Sequence, residues 1–412
     1  MNPKEFNTGT KNFFLSFLWE YRGSFLISFC ILFTGFIIEY ITGGKGIALP
    51  GWPANLIMLT LFIAYIITFH IIVTHPIKKW LSGHHAAVSV ITTFVFLILL
   101  MAFIPQGELG SKSFVSQIGL THVIRSWPYF LISMFLLFIL GLTILRRFLP
   151  FSFRNFAFTL NHLGLFIVLS AASLGAADTY TLSMVLNENQ ITKIAQGESG
   201  KHYEIDFGIE LLRFKMDEYP PQIFMVSEKG EILYPHKKPL EAGKGNKEMR
   251  GNWLLEVQEY IENAYKDSMV YFSTTAFGSA PAAKLMAHNT QTGKTLTGWV
   301  SCGSMFVSPE YFILSETEKI AMTVPHPKKF SSLIKLHYMQ NETKDITVEV
   351  NQPAKFRGWT IYQSGYDAEM GKWSTRSIVQ LVRDPWLPVV YAGFFMIIAG
   401  ALYLLWLGKI KR

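Results

Sequence analysis

The stretch that decides the fold runs from Phe156 to Asp178 and reads FAFTLNHLGLFIVLSAASLGAAD. Its apolar part, Phe156 to Ala176, is long enough to cross a bilayer, which takes about 20 residues. One ionisable side chain, His162, lies in its first two turns, and the next is Asp178. From Asp178 to Asp384 no comparable apolar run occurs. A membrane helix therefore hands over to a large polar segment at this point.

Five further runs of similar character flank it: Ser24 to Thr42, Leu56 to Thr74, Ala86 to Ile104, Pro128 to Leu145 and Leu387 to Leu407. Composition agrees. Half of the 412 residues are hydrophobic and only 16% are charged, against about 25% in soluble domains. The first run starts late and lacks a small-residue cleavage site, so it reads as a span and not as a signal peptide.

Short-loop cations set the expected orientation. Lys4, Lys11, Arg22, Lys78, Lys79, Arg146, Arg147, Arg154, Lys409, Lys411 and Arg412 fall on one side; Lys45, Lys112 and Arg125 fall on the other. The first side is expected to be cytoplasmic, with both termini inside and the segment 178–384 outside. The net charge of +8 then reflects helix ends, and no nucleic-acid partner is expected.

Within the external segment, alternating or β-branched runs recur at Tyr203 to Leu212, Trp253 to Ile261, Met269 to Ser273, Ile346 to Val350, Trp359 to Tyr362 and Ser377 to Val382. Turn signals such as Lys229-Gly230 and Thr292-Gly293 separate them. The expected fold class is an integral membrane α-helical bundle of six spans with a large, mostly β domain between spans five and six. Pro235 to Arg250 reads as an exposed loop.

No GxSxG, P-loop, HExxH, dinucleotide fingerprint or CxxCH is present, which removes the common enzyme classes and a c-type cytochrome. Histidines in or beside the spans remain. A charged or ionisable group in a span usually faces protein, a cavity or a ligand, and a neutral imidazole is a good axial ligand for haem iron. His162 is the first candidate; the alternative is an interface histidine bonded to a neighbouring helix. His70, near the cytoplasmic end of span two, is the weaker candidate, with His75 at that end and His84 and His85 in the loop that follows. His122 precedes span four and lacks an evident partner. Cys302 reads as a buried free thiol, Cys30 as helix packing, and Asp384-Pro385 as the cap of the last helix. Ala171, Gly175, Ala172 and Ala176 read as small packing positions.

Two stretches carry a family resemblance: Asn161-His162-Leu163-Gly164 leading into the external domain, and Gly358-Trp359-Thr360-Ile361-Tyr362-Gln363-Ser364-Gly365-Tyr366-Asp367 followed by Arg383-Asp384-Pro385 and a final span. Together they resemble the ResB/CcsB family, the membrane subunit of system II cytochrome c maturation. The resemblance implies a four-span plan, with an added N-terminal hairpin at 1–80, a three-span core at 81–177, the external domain at 178–384 and the last span and tail at 385–412. It implies a holocytochrome c synthase subunit, not catalytic alone, that works with a CcsA-like partner to carry haem b outward. The haem is attached at the CxxCH of an apocytochrome c kept reduced by thioredoxin-like proteins. By position in the motif His162 is the transmembrane haem ligand, and no other metal is expected. Rival readings are a b-type redox subunit using His70 with His162, and a scaffold without haem.

Overall fold

The computed structural model describes residues 20–73, 76–107, 113–149, 152–339 and 342–410. Among the described residues six helices are long and apolar enough to cross a membrane: α1 (Tyr21–Ile41), α2 (Ala54–Ile72), α3 (His84–Phe103), α4 (Trp127–Phe148), α5 (Phe153–Gly175) and α6 (Leu387–Ile410). The chain is thus a multi-pass membrane protein. It divides into two compact units, one of residues 1–179 with 384–412, the other of residues 180–383.

In the helical unit, α4 sits centrally and packs on α1, α2, α3 and α5. Its buried Ile132, Leu137, Ile139 and Leu142 join Leu32, Ile66, Leu97 and Phe166 in one core. Lipid tails are as apolar as leucine, so association depends on close approach and on hydrogen bonds. Both are visible. A Cβ on Gly35 of α1 would lie 2.4 Å from the Pro128 Cα. The Ser28 hydroxyl reaches the Ser89 hydroxyl at 3.1 Å, and the Trp80 indole N–H donates to Ser24 at 2.8 Å. The N-terminal hairpin is therefore built into the bundle.

The tightest pair is α5 with α6. A Cβ on Gly164 would meet the Gly393 carbonyl oxygen at 2.6 Å, and one on Gly400 would meet the Asn161 nitrogen at 2.7 Å. Of the small residues marked in the sequence near 171–176, Ala171 and Gly175 are buried, Gly175 against Trp386, while Ala172 and Ala176 are exposed. The closest contact runs through glycines seven apart on α6, a spacing that keeps them on one helix face. At the start of α6, Asp384 Oδ1 accepts from the Trp386 and Leu387 amides at 3.0 and 3.1 Å, the expected cap.

Among its described residues the second unit has seventeen strands. They are β1 (Tyr180–Asn187), β2 (Ile191–Gly197), β3 (His202–Glu218), β4 (Gln222–Ser227), β5 (Leu240–Glu241), β6 (Lys247–Arg250), β7 (Trp253–Asp267), β8 (Val270–Ser273) and β9 (Ala280–Asn289). There follow β10 (Thr295–Ser301), β11 (Phe312–Ile313), β12 (Glu318–Met322), β13 (Pro327–Tyr338), β14 (Glu342–Glu349), β15 (Ala354–Phe356), β16 (Trp359–Tyr366) and β17 (Arg376–Arg383). An eight-stranded sheet runs β14-β13-β3-β2-β1-β17-β16-β15, so the first and last strands of the unit are neighbours. They pair antiparallel from Tyr180 with Arg383 to Asn187 with Arg376. Alternation puts Phe207, Ile209, Leu211, Leu381 and Ile361 into its core. A five-stranded and a four-stranded sheet share a second core around Trp253, Leu255, Leu285 and Ile320.

The structure revises the Pro235 to Arg250 loop. It contains β5 and β6, and Leu240, Ala242 and Arg250 are buried. The Arg250 guanidinium donates to the Lys238 carbonyl and pairs with Glu248 at 2.9 Å. A Lys-, Gly- and Glu-rich composition concealed strands too short to show alternation.

The Trp359 stretch is explained by the backbone. Arg357 and Gly358 have φ of 48° and 81°. Positive φ at both central positions is the two-residue hairpin turn whose twist matches the flanking strands. Trp359, Ile361 and Gln363 then point inward. Gln363 Nε2 donates to the Ser377 hydroxyl at 3.0 Å and to the Gly365 carbonyl at 2.9 Å, and Ser332 donates to Ser377 at 2.7 Å. Arg383 lies over the Trp359 ring at 6.0 Å and is not paired with Asp384.

Candidate functional site in the helical unit

His162 lies on α5, three residues after Thr159 and one turn after Phe158. Asn161 and Gly164 share the face that packs on α6, where the Asn161 amide donates to the Ile397 carbonyl at 3.1 Å. His162 is turned about 100° from Asn161. The quoted motif thus has two packing residues and one residue facing elsewhere.

The His162 Nδ1 lies 2.9 Å from the Phe158 carbonyl oxygen. A carbonyl only accepts, so Nδ1 carries the proton, and the lone pair of the neutral ring is on Nε2. A metal-ligating histidine is commonly held in this orientation and tautomer by donating its other ring N–H to a carbonyl. The imidazole also stacks on Phe158, with centroids 3.7 Å apart at 25°. The Arg147 guanidinium covers the same phenyl ring at 5.1 Å. Ring and carbonyl fix His162 from two directions.

His70 on α2 is half-buried, and its Nδ1 is buried without a hydrogen-bond partner. Its carbonyl accepts from Lys78 Nζ at 2.8 Å. Helices α2 and α5 are antiparallel: Asn55 at the start of α2 donates to the Leu174 carbonyl near the end of α5 at 3.2 Å. Between them, a Cβ on Gly141 of α4 would meet Ile66 at 2.9 Å and Phe166 at 3.5 Å. His70 is one turn beyond Ile66, and His162 one turn before Phe166. Both therefore lie roughly 6 Å along the axis from this contact, toward the same end of the bundle. No hydrogen bond or ring contact joins the two histidines. The end they approach is basic, with Lys78, Lys79, Arg146 and Arg147; Arg146 donates to the Ser82 carbonyl and hydroxyl at 3.2 Å.

His75 lies outside the described residues. His84 and His85 are not in a loop. They form the first turn of α3, their ring centroids 3.8 Å apart and the rings tilted by 38°, with Tyr21 at 4.7 Å from His85. Gly83, in extended conformation, precedes α3, which starts two residues before the apolar run at Ala86.

His122 has the partner that the sequence did not reveal. Its Nε2 is 3.1 Å from Oε1 of Glu39, which is completely buried on α1. Glu39 also accepts from the Gly46 amide at 2.8 Å and the Trp127 amide at 2.8 Å. This carboxyl ties the α1–α2 loop to the α3–α4 connection and the start of α4, at the end opposite the two histidines. A lone glutamate in an otherwise apolar span was the available signal. Cys30 is exposed on the helix surface rather than packed, and Cys302 is a half-buried free thiol. Burial pushes the Cys302 thiol up to about 11. Among the described residues no group of three His, Cys, Asp or Glu side chains is arranged to hold a metal ion.

A six-span bundle with a strand-rich domain between its fifth and sixth helices defines the class: a multi-pass membrane protein carrying one large strand-rich domain. Comparison with protein families matches residues 303–379 to the ResB-like family, and this match supports assignment of the chain to the ResB/CcsB family. The matched segment spans β11 to β16 and the start of β17, both ends of the large sheet. The ResB-like family is associated with cytochrome c biogenesis. No curated protein matches the chain.

Proposed function

We propose that the chain is the haem-handling subunit of a cytochrome c maturation complex in the bacterial cytoplasmic membrane. Both termini face the cytoplasm and the strand-rich unit faces outward, following the positive-inside distribution. Haem b is the cargo. It is taken up at the basic end of the bundle, where cations suit its propionates and His162 Nε2 suits its iron. A CcsA-like partner supplies the other axial ligand. The strand-rich unit presents the CxxCH of an apocytochrome c, whose thiols thioredoxin-like proteins keep reduced, because the thiolate is the reactive form. This chain's contribution to covalent attachment is positioning.

The observation that carries this reading is the His162 Nδ1–H to Phe158 carbonyl bond, which leaves Nε2 with its lone pair. The residues fit the cargo: a neutral imidazole held from two sides, with guanidinium and ammonium groups at the same end. A second reading, a b-type redox subunit, draws on the orphaned Nδ1 of His70 at a similar depth.

Haem spectra of wild type and His162→Ala, each with and without the CcsA-like partner, test both. Replacing this proposed axial ligand should lower haem occupancy and cytochrome c yield while the protein still inserts, with partial recovery in added imidazole. Haem held by the lone chain and retained in His162→Ala, but lost in His70→Ala, transfers the site to His70 and to the redox reading. Absence of haem under every condition leaves a scaffold.

A further inference from the structure

At the end of the bundle away from the two histidines, a groove of about 750 Å³ opens among the α1–α2 loop, the start of α4 and the end of α5. Its size falls within the usual range for ligand pockets. Lys45 and Arg125 stand on its rim, both exposed. The Ile47 amide donates to the Arg125 carbonyl at 2.6 Å, so the two cationic segments are held side by side. Among the described residues neither cation has an acidic partner. Asp178 uses its carboxylate on the Trp52 amide, the Asn55 amide and the Trp386 indole, at 2.7 Å each.

Deeper in the groove lies Ser133, 7% exposed, whose hydroxyl has no partner. Helical hydroxyls commonly bond back to the carbonyl four residues earlier. Thr143 on the same helix does so at 2.8 Å, and Ser170 on α5 does so at 2.6 Å. Ser133 instead leaves a buried donor facing the groove, which costs free energy unless something fills the need. The remaining wall is mostly apolar, with Leu49, Phe130 and Met134, and includes Tyr129 and Ser173.

We propose that this groove binds one anionic glycerophospholipid. Its phosphate sits between Lys45 and Arg125, an ester oxygen accepts from Ser133, and an acyl chain follows Leu49, Phe130 and Met134 toward the bilayer. Paired cations at a helix-bundle end select an anionic head group. The apolar wall beyond them gives a free phosphate ion nothing to bind. This inference is independent of the haem reading, because the groove is at the other end of the bundle and contains no histidine.

The test is native mass spectrometry of the full chain in detergent, titrated with phosphatidylglycerol, phosphatidylcholine, haemin or inorganic phosphate. Wild type should retain one phosphatidylglycerol and not phosphatidylcholine. Lys45→Gln combined with Arg125→Gln should bind it about 30-fold more weakly, from the usual contribution of two basic side chains near a membrane surface. Both side chains are exposed, so that variant should fold. Ser133→Leu, which fills the groove and leaves the cations, should also displace the lipid. Equal phosphatidylglycerol binding by the double variant overturns the proposal. So does displacement of the lipid by haemin, which makes the site one for an anionic macrocycle, or by millimolar inorganic phosphate, which makes it an ion site only.

Discussion

The helical unit and the strand-rich unit solve the same packing problem with different means. In the strand-rich unit, alternation separates apolar from polar side chains, and water drives the burial of residues such as Phe207, Leu211 and Leu381. Its inward polar group, Gln363 with Ser377 and Ser332, is internally satisfied. In the helical unit both faces of each span are apolar, so hydrophobic pattern cannot say which face meets protein. Glycines at the α5–α6 contact and a few buried polar groups decide it. Some of those groups are left incomplete, His70 Nδ1 and Ser133 Oγ among them. Among the described residues the helical unit holds more of these incomplete groups than the strand-rich unit, where Asn263 Oδ1 and Ser279 Oγ are left over; the unmet polar groups of the helical unit are where a ligand has something to gain.

The comparison breaks first at Glu39. Glu39→Ala strands the buried His122 and the Gly46 and Trp127 amides, and should cost about 3–5 kcal/mol, seen as a lower thermal unfolding temperature in detergent. A loss below 1 kcal/mol makes this buried group as dispensable as a surface pair. In the strand-rich unit, Gln363→Leu leaves the Ser377 hydroxyl short of a partner and should cost about 1–3 kcal/mol, with haem occupancy unchanged. If occupancy falls with it, the division of labour between the units is wrong. Gly358→Ala forces a Cβ into a backbone with φ of 81° and should cost about 1 kcal/mol, measured in the same way.

The smallest expected effect is a pH dependence in the strand-rich unit. Burial raises the Cys302 thiol from 9.0 to about 11, so the folded protein holds that proton more tightly than the unfolded chain. Its contribution to stability is complete below about pH 9 and is lost as pH rises through about 11. Iodoacetamide should accordingly label Cys302 slowly until pH approaches 11, and Cys302→Ala should flatten the decline. Rapid labelling at pH 8 contradicts the burial described for this thiol.

Much of this was readable in the chain itself. The six spans follow from apolar runs of bilayer length, and the strand-rich segment from period-two alternation at Tyr203 to Leu212 and Ser377 to Val382, because both signals are local. His162 stood out because an ionisable side chain in hydrocarbon is expensive. Only the tertiary structure assigned Asn161 and Gly164 to α6, gave His162 the Phe158 carbonyl and paired His122 with Glu39, residues 83 positions apart. Only it gathered Lys45, Arg125 and Ser133 around one groove, and brought β1 beside β17. The reason is physical: a span's length and polarity are properties of a segment, but the face it buries is set by its neighbours, and in a helix that is apolar all round no sequence period records that choice.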